Sequence, residues 1–311
     1  MASERHRATR RTSGGPLTLR ALVGVALIAL LAAVGAAFAV STLLGSEGAT
    51  ARPDDRPLIA DVSAEARAFT DPTPATTPST TDATPTAWTL RAATLAAIPP
   101  SRAVTAGGGT RREVALTFDD GPSPFTPKVL GVLRAAHAHA TFFVVGRNVA
   151  ANPHWTDDIV RAGDEIGDHT WSHASIPALP APDRRSEILG PAERVHAITE
   201  ATPVLFRPPY GAMNPATNRL TRDLGLVPVV WSVDPHDYDA PSAKVIAQRV
   251  LARVHPGSIV LLHDGGGDRR RTVAALRQIL RGLRALGLRP VTVSELLNGS
   301  PPGPRELLDR M

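Results

Sequence analysis

VALTFDDGPSP, residues 114–124, sets two aspartates side by side at the end of an apolar run and stops them with Gly-Pro. In a strand, neighbouring side chains point to opposite faces, so a paired Asp119-Asp120 inside one would waste a carboxylate. Gly121 and Pro122 end the strand, and a turn there lets both carboxylates aim at one point. Two like charges held together require something positive between or beside them. The stretch therefore reads as the end of a β-strand that carries a charged site.

Working outward, short apolar runs alternate with segments of helical periodicity from Arg111 onward. The runs are EVALTF (113–118), ATFFVV (140–145), EIGDH (165–169), VLFRP (204–208), LVPVVWSV (226–233), SIVLLH (258–263) and PVTV (290–293). Helices are predicted near 126–137, 149–162, 183–200, 214–225, 242–254 and 270–286. In the last of these Val273, Leu276, Ile279, Leu280 and Leu283 share one face, and Arg277, Arg281 and Arg284 lie off it. Strands alternating with helices imply an α/β fold around a parallel sheet, open or closed into a barrel, with chemistry collected where the strands end. Those ends carry Asp119-Asp120, His169, Arg207, Asp234 with Asp237, and His263-Asp264, all on one rim.

The chain has 311 residues and a net charge of +5, but the charge is local. Residues 1–20 hold five arginines against one glutamate, 5 − 1 = +4, so the rest is nearly neutral at +1. No basic stripe with interleaved aromatics is visible, and no nucleic acid is expected. Cysteine is absent, which excludes disulfides and thiolate metal sites and leaves histidine and carboxylate as metal ligands. Residues 21–40, ALVGVALIALLAAVGAAFAV, carry no charge and at about 1.5 Å per helical residue span a bilayer core. With the basic tail 1–20 before it, this segment reads as a signal-anchor that leaves the rest of the chain outside the cytoplasm. Cleavage near Ala39, giving a secreted protein, is the competing reading. Residues 41–110 read as an extracytoplasmic linker rich in Pro, Thr and Ala; 12 of the 17 residues in 70–86 are Pro or Thr, a composition that builds no core. A short helix is expected over 87–98, a catalytic domain over 111–298, and a tail over 299–311.

HTWSH places His169 and His173 four apart, so that on a helical turn both imidazoles would share a face and hold one metal ion. With a carboxylate from 119–120 they make a set of two histidines and one carboxylate with positions left open. One aspartate then binds metal and the other acts as a base on water. In RPPYG (207–211), Arg207 suits a partner that keeps the base ionised, and the stiff loop suits a preset oxyanion site at the Tyr210 N–H. His263 is a candidate general acid, with Asp237 accepting its other ring N–H. His137, His139, His154, His196 and His255 read as ordinary residues, DRRRT (268–272) as a solvated helix start, and His236 has no assigned role.

TFDDGP, HTWSH, RPPYG, WSVDPHDY and IVLLHD resemble, in order, the five motifs of the NodB-homology polysaccharide deacetylases, carbohydrate esterase family 4. The resemblance covers about residues 111–298. It implies a distorted (β/α)7 barrel that removes N- or O-acetyl groups from a glycan with a divalent ion, usually zinc. Carried over by motif, Asp119 would be the base, Asp120, His169 and His173 the metal ligands, and Arg207 the group that orients Asp119. Tyr210 would give its N–H to the oxyanion, His263 tuned by Asp237 would be the acid, and Leu261 would line the acetyl pocket. Tyr238 stands where the family usually has Trp, in the wall of the substrate groove. Asp168, where a neutral residue is expected, reads as an exposed loop charge rather than a carboxylate backing a metal histidine. The expected substrate is cell-wall glycan, above all the N-acetyl groups of peptidoglycan, with no protein partner inferred. Chitin-type oligomers, an exopolysaccharide or O-acetylated xylan are the enzymatic alternatives. A silent glycan-binding module is the rival from another class.

Overall fold

A computed structural model describes residues 88–308. The apolar segment 21–40 and most of the linker lie outside the described residues; among the described residues no helix is long and apolar enough to cross a membrane. Thr77–Met311 forms a compact unit.

The strands are β1 (Ala103–Val104), β2 (Glu113–Gly121), β3 (Thr141–Val144), β4 (Glu165–Asp168), β5 (Leu205–Phe206), β6 (Val227–Pro228), β7 (Ile259–His263), β8 (Arg289–Val291) and β9 (Leu307–Leu308). β2 to β8 form one parallel sheet in the order β6-β5-β4-β3-β2-β7, with β8 also on β2. Ala115 pairs with Ile259 on one side and Val291 on the other, so β8 occupies the same edge of β2 that β3 takes further along. From Glu113 to Asp119 every residue of β2 is buried, as expected for a strand with both faces covered.

The sheet curls. Beyond β6 the Val229 N–H donates to the Phe206 carbonyl, and Val233 bridges to Val260 of β7. The two ends of the sheet thus approach across the irregular stretch 229–233 rather than through a regular ladder. All seven predicted runs take part, but β5 and β6 shrink to two residues each. Pro208 and Pro228 lack the N–H that a longer ladder needs.

Helices lie at Thr126–Ala135, Gly146–Ala151, Pro153–Arg161, Ala181–Thr199, Pro215–Asp223, Ala243–Leu251 and Arg270–Ala285. The segment predicted as one helix over 149–162 is two, because Pro153 suits only the start of a new helix. A further helix, Val293–Gly299, begins where the strand PVTV was expected to end; the Thr292 hydroxyl accepts the Glu295 N–H and caps it.

The packed unit is longer than 111–298. The helix Ala92–Ala97 forms as expected, but it belongs to the domain rather than to a linker: Trp88, Ile98 and Val104 are buried, and β1 pairs antiparallel with β9. Fully burying a side chain such as Ile98 is worth about 1.5–3 kcal/mol. The composition shift at Arg111 marks the first long strand, not the first packed residue, and residues to Leu308 are held by the pairing with β1.

Candidate active site

The aspartate pair is resolved by a bulge. Asp119 pairs with Phe143 and Gly121 with Val144, leaving Asp120 as an extra residue at φ +72°. A bulge interrupts the alternation of side chains, so Asp120 turns into the space that Asp119 already faces. The Asn148 side-chain amide donates to the Asp120 carbonyl at 2.8 Å. A Cβ at Gly265 would collide with the Asp120 carbonyl, and one at Gly266 with its carboxylate. The H-D-G-G sequence at 263–266 is therefore shaped to Asp120.

His169 follows β4, and His173 lies in the loop after it rather than on a helical turn. Thr170 and His173 both take left-handed backbone angles, φ 63° and 64°, which no helix contains. The loop is tied to the helix Ala181–Thr199 through a proline. Pro191 has no N–H for the carbonyl of Glu187, and that carbonyl instead accepts the Trp171 N–H at 2.8 Å. The Glu187 carboxylate accepts the Ser172 N–H at 2.9 Å. Asp168 is not an exposed loop charge: it is fully buried and accepts N–H groups from Thr170 at 3.0 Å and Ala192 at 3.3 Å. Burial pushes its carboxyl well above the ordinary range, against the pull of those two hydrogen bonds. Its task is to hold the loop.

The loop brings the histidines to Asp120, with ring centroids 5.0 Å apart. Asp120 Oδ1 is 3.0 Å from His173 Nε2 and 3.5 Å from His169 Nε2, and the donor atoms of the three residues lie within 4.8 Å of one another. His169 Nδ1 is 2.7 Å from the Arg207 carbonyl. A carbonyl only accepts, so that nitrogen carries the proton and the Nε2 lone pair faces Asp120. Asp120 Oδ1 is itself buried without a hydrogen-bond partner. An orphaned carboxylate oxygen facing two imidazole nitrogens is a donor set for a divalent cation, and the residues present fit one.

Beside it sits Asp119, the candidate base. Arg207 is fully buried and donates to Asp119 Oδ1 at 2.8 Å, to the Thr117 hydroxyl at 2.7 Å and to the Val230 carbonyl at 3.0 Å. Its guanidinium lies 4.0 Å from the Phe143 ring centroid. Asp119 Oδ2 is 3.8 Å from His169 Nε2, so the oxygen that Arg207 leaves alone faces the donor set.

The candidate acid stands across from it, since His263 is the register partner of Asp119. Asp237 Oδ1 is 2.7 Å from His263 Nδ1, while Oδ2 accepts the His263 main-chain N–H at 2.9 Å and the Thr272 hydroxyl at 2.8 Å. Burial works against charge on His263, but the hydrogen bond and charge of Asp237, with Asp119 and Asp120 nearby, raise its pKa overall.

Two exposed rings flank the site. Tyr210, at φ 61° after two prolines, is 71% exposed, and its hydroxyl lies 3.2 Å from His173 Nδ1. Tyr238 meets His263 edge-on at 5.5 Å. Its hydroxyl is held by Asp234 at 3.0 Å and His236 at 2.8 Å, and burial with the Asp234 hydrogen bond pushes its pKa to about 12. His236 thus has a place, orienting Tyr238. Leu261 is buried in β7, two residues before His263. Sequence reasoning missed Thr117, Thr272, Asn148, Glu187 and Pro191; of these only a proline inside a helical segment left a trace in the sequence.

A carboxylate held by a buried arginine, an imidazole held by a buried carboxylate, and three convergent donor side chains are an arrangement suited to metal-dependent hydrolysis. The family model for polysaccharide deacetylases matches residues 106–229. A peptidoglycan-N-acetylglucosamine deacetylase of Bacillus cereus is 42% identical over 187 residues, 59% of this chain and 87% of that protein. A chitooligosaccharide deacetylase of Sinorhizobium fredii is 37% identical over 198 residues, 60% of this chain and 92% of that protein. The crystal structure of a peptidoglycan N-acetylglucosamine deacetylase matches at a TM-score of 0.60 and 35% identity, covering 62% of this chain and 91% of that one. This chain belongs to the polysaccharide deacetylases of carbohydrate esterase family 4, metal-dependent hydrolases of N-acetyl groups.

Proposed function

We propose that this protein removes N-acetyl groups from cell-wall glycan, above all peptidoglycan, outside the cytoplasm and anchored through residues 21–40. The observation that carries the chemistry is Asp119, fixed by Arg207, facing the Asp120, His169 and His173 donors with His263 opposite. The similarity to the Bacillus cereus enzyme supports the substrate, and the apolar segment behind a basic tail supports the anchor. The curled sheet is read as a distorted (β/α)7 barrel in which 229–233 closes the ring.

The ion held by Asp120, His169 and His173, by its donor set zinc, would supply Lewis acidity toward the acetyl carbonyl and the attacking water. Asp119 Oδ2 takes the proton of that water, because Oδ1 is already bound by Arg207. The Tyr210 N–H donates to the oxyanion as it forms. His263 keeps Nδ1–H on Asp237 and passes its Nε2 proton to the leaving nitrogen. Water and the amide become acetate and a free amine. Leu261 lines the acetyl pocket and Tyr238 one wall of the groove.

Chitin-type oligomers are the alternative substrate, favoured by the likeness to the Sinorhizobium enzyme. A silent binding module has no use for the complete Asp119, Arg207, Asp237 and His263 arrangement. Product analysis on peptidoglycan, chito-oligomers and acetyl-xylan separates these readings. Faster acetate release from peptidoglycan is expected; release from chito-oligomers or xylan alone would reassign the substrate. A protein found in the soluble rather than the membrane fraction of its cells would replace the anchor with cleavage near Ala39.

A further inference from the structure

The sheet has a second end, away from the catalytic rim. There the helices Thr126–Ala135 and Arg270–Ala285 pack together, and a groove of about 670 Å³ lies between their C-terminal halves. Leu280 and Leu288 form its floor, with Arg277, Arg281, Arg284 and Arg289 around it. The helix Arg270–Ala285 contains five arginines and no acidic residue; Thr126–Ala135 contains Lys128 and Arg134 and no acidic residue. Some exposed arginines are paired, Arg161 with Asp157, Arg270 with Asp268, and Arg289 with Glu113 and Glu295, and Arg185, Arg194, Arg219 and Arg305 lie exposed on other elements without a side-chain partner among the described residues. Arg134, Arg277, Arg281 and Arg284 are exposed, and their side chains have no hydrogen bond or ion pair among the described residues. The near-neutral charge beyond residue 20 conceals this concentration.

An apolar side chain stands with them. Of the three large hydrophobic residues left exposed among the described residues, Tyr210 and Tyr238 flank the candidate active site, and the third is Leu286, 45% exposed at the C-cap next to Arg284. The chain also enters the domain at this end. The Thr89 carbonyl accepts the Asn298 side-chain amide at 2.7 Å, and the Arg91 N–H donates to the Asn298 side chain at 2.8 Å. Asn298 lies on the helix Val293–Gly299, directly after β8, which starts at Arg289. From Glu113 at this end of β2 to Asp119 at the other is about 20 Å at roughly 3.3 Å per residue.

We propose that this arginine-rimmed end docks on the headgroup layer of an anionic bilayer, with the catalytic rim facing away from it. Unpaired guanidinium groups bind phosphate, and an apolar tip among basic side chains suits the interface. The direction of the tether rests on the anchored reading given above; the charge and Leu286 arguments do not.

The test uses residues 77–311, a compact unit that buries its own core, in co-sedimentation with vesicles of phosphatidylcholine alone or mixed with phosphatidylglycerol. Binding to the anionic vesicles on the order of tenfold tighter, weakened by salt, is expected. Arg277→Glu, Arg281→Glu and Arg284→Glu together abolish it, and Leu286→Asp weakens it, with acetate release and circular dichroism unchanged. Equal binding to both vesicles, or anionic binding that survives the triple substitution, overturns the proposal. So does retention of soluble polyphosphate without retention of vesicles, which makes the occupant a soluble polyanion. Vesicle binding needs no substrate, so its failure is distinct from failure to release acetate. It needs no residue before 77, so it is equally distinct from failure of the full chain to partition into membranes.

Discussion

The carbonyl oxygen of Arg207 lies 2.7 Å from Nδ1 of His169, and its guanidinium lies 2.8 Å from Oδ1 of Asp119. One buried residue sets the tautomer of His169 with its main chain and the orientation of Asp119 with its side chain. Arg207→Lys keeps the charge and the carbonyl but loses the fork that also reaches Thr117 and Val230. Its kcat is expected to fall by roughly 10–100-fold with metal content unchanged. Arg207→Met leaves Asp119 buried and unpaired, and unfolding by denaturant is expected to show a loss of about 3–5 kcal/mol.

The two neighbouring aspartates should separate cleanly. Asp119→Asn is expected to lower kcat by roughly 10²–10⁴-fold while bound metal stays the same, since Asp119 lies outside the donor set. Asp120→Asn removes the only carboxylate of that set, so metal affinity falls and excess metal restores part of the rate. Metal analysis beside kinetics distinguishes the two.

His263 gives a pH dependence of known sign. Its pKa is raised, with Asp237 as the main favourable cause, so the protonated acid persists to higher pH. The alkaline limb of kcat/KM therefore reports His263, and Asp237→Asn moves that limb to lower pH. The stability that this pairing adds is present in full below the unfolded histidine pKa, about 6.5, and is lost as pH rises through the folded value. An alkaline limb unmoved in Asp237→Asn would remove Asp237 from this role.

Asp164 moves stability in the same direction, through burial rather than pairing. Burial pushes its carboxyl up to about 7, although it accepts the Ala140 N–H at 2.8 Å. As pH rises past about 4 the unfolded chain ionises first, so stability falls until the folded group ionises as well. Asp164→Asn is expected to flatten the decline between about pH 4 and 7, by a few kcal/mol at most. Glu165, also raised by burial, keeps part of the slope. Thermal melts across this window check it.

The rim was legible because strand ends carry chemistry and the strands are clean apolar runs: Asp119, His169, Arg207 and His263 fall where those runs stop. What escaped depends on backbone detail. Four-residue spacing suggested a helical turn for His169 and His173, but positive φ at Thr170 and His173 has no mark in sequence. Asp168 looked exposed because its partners, the Thr170 and Ala192 N–H groups, are main-chain atoms. Thr117 and Thr272 act through single hydroxyls, which nothing in their neighbours announces. The residues before Arg111 looked like linker because Trp88 and Ile98 pack against distant parts of the chain.

The most direct measurement is acetate release from N-acetylglucosamine oligomers and peptidoglycan by residues 77–311, before chelation, after it, and after zinc is returned. Release that disappears on chelation and returns with zinc is the predicted result. Release that persists in the chelated protein, with metal analysis confirming its removal, would contradict the role given to Asp120, His169 and His173.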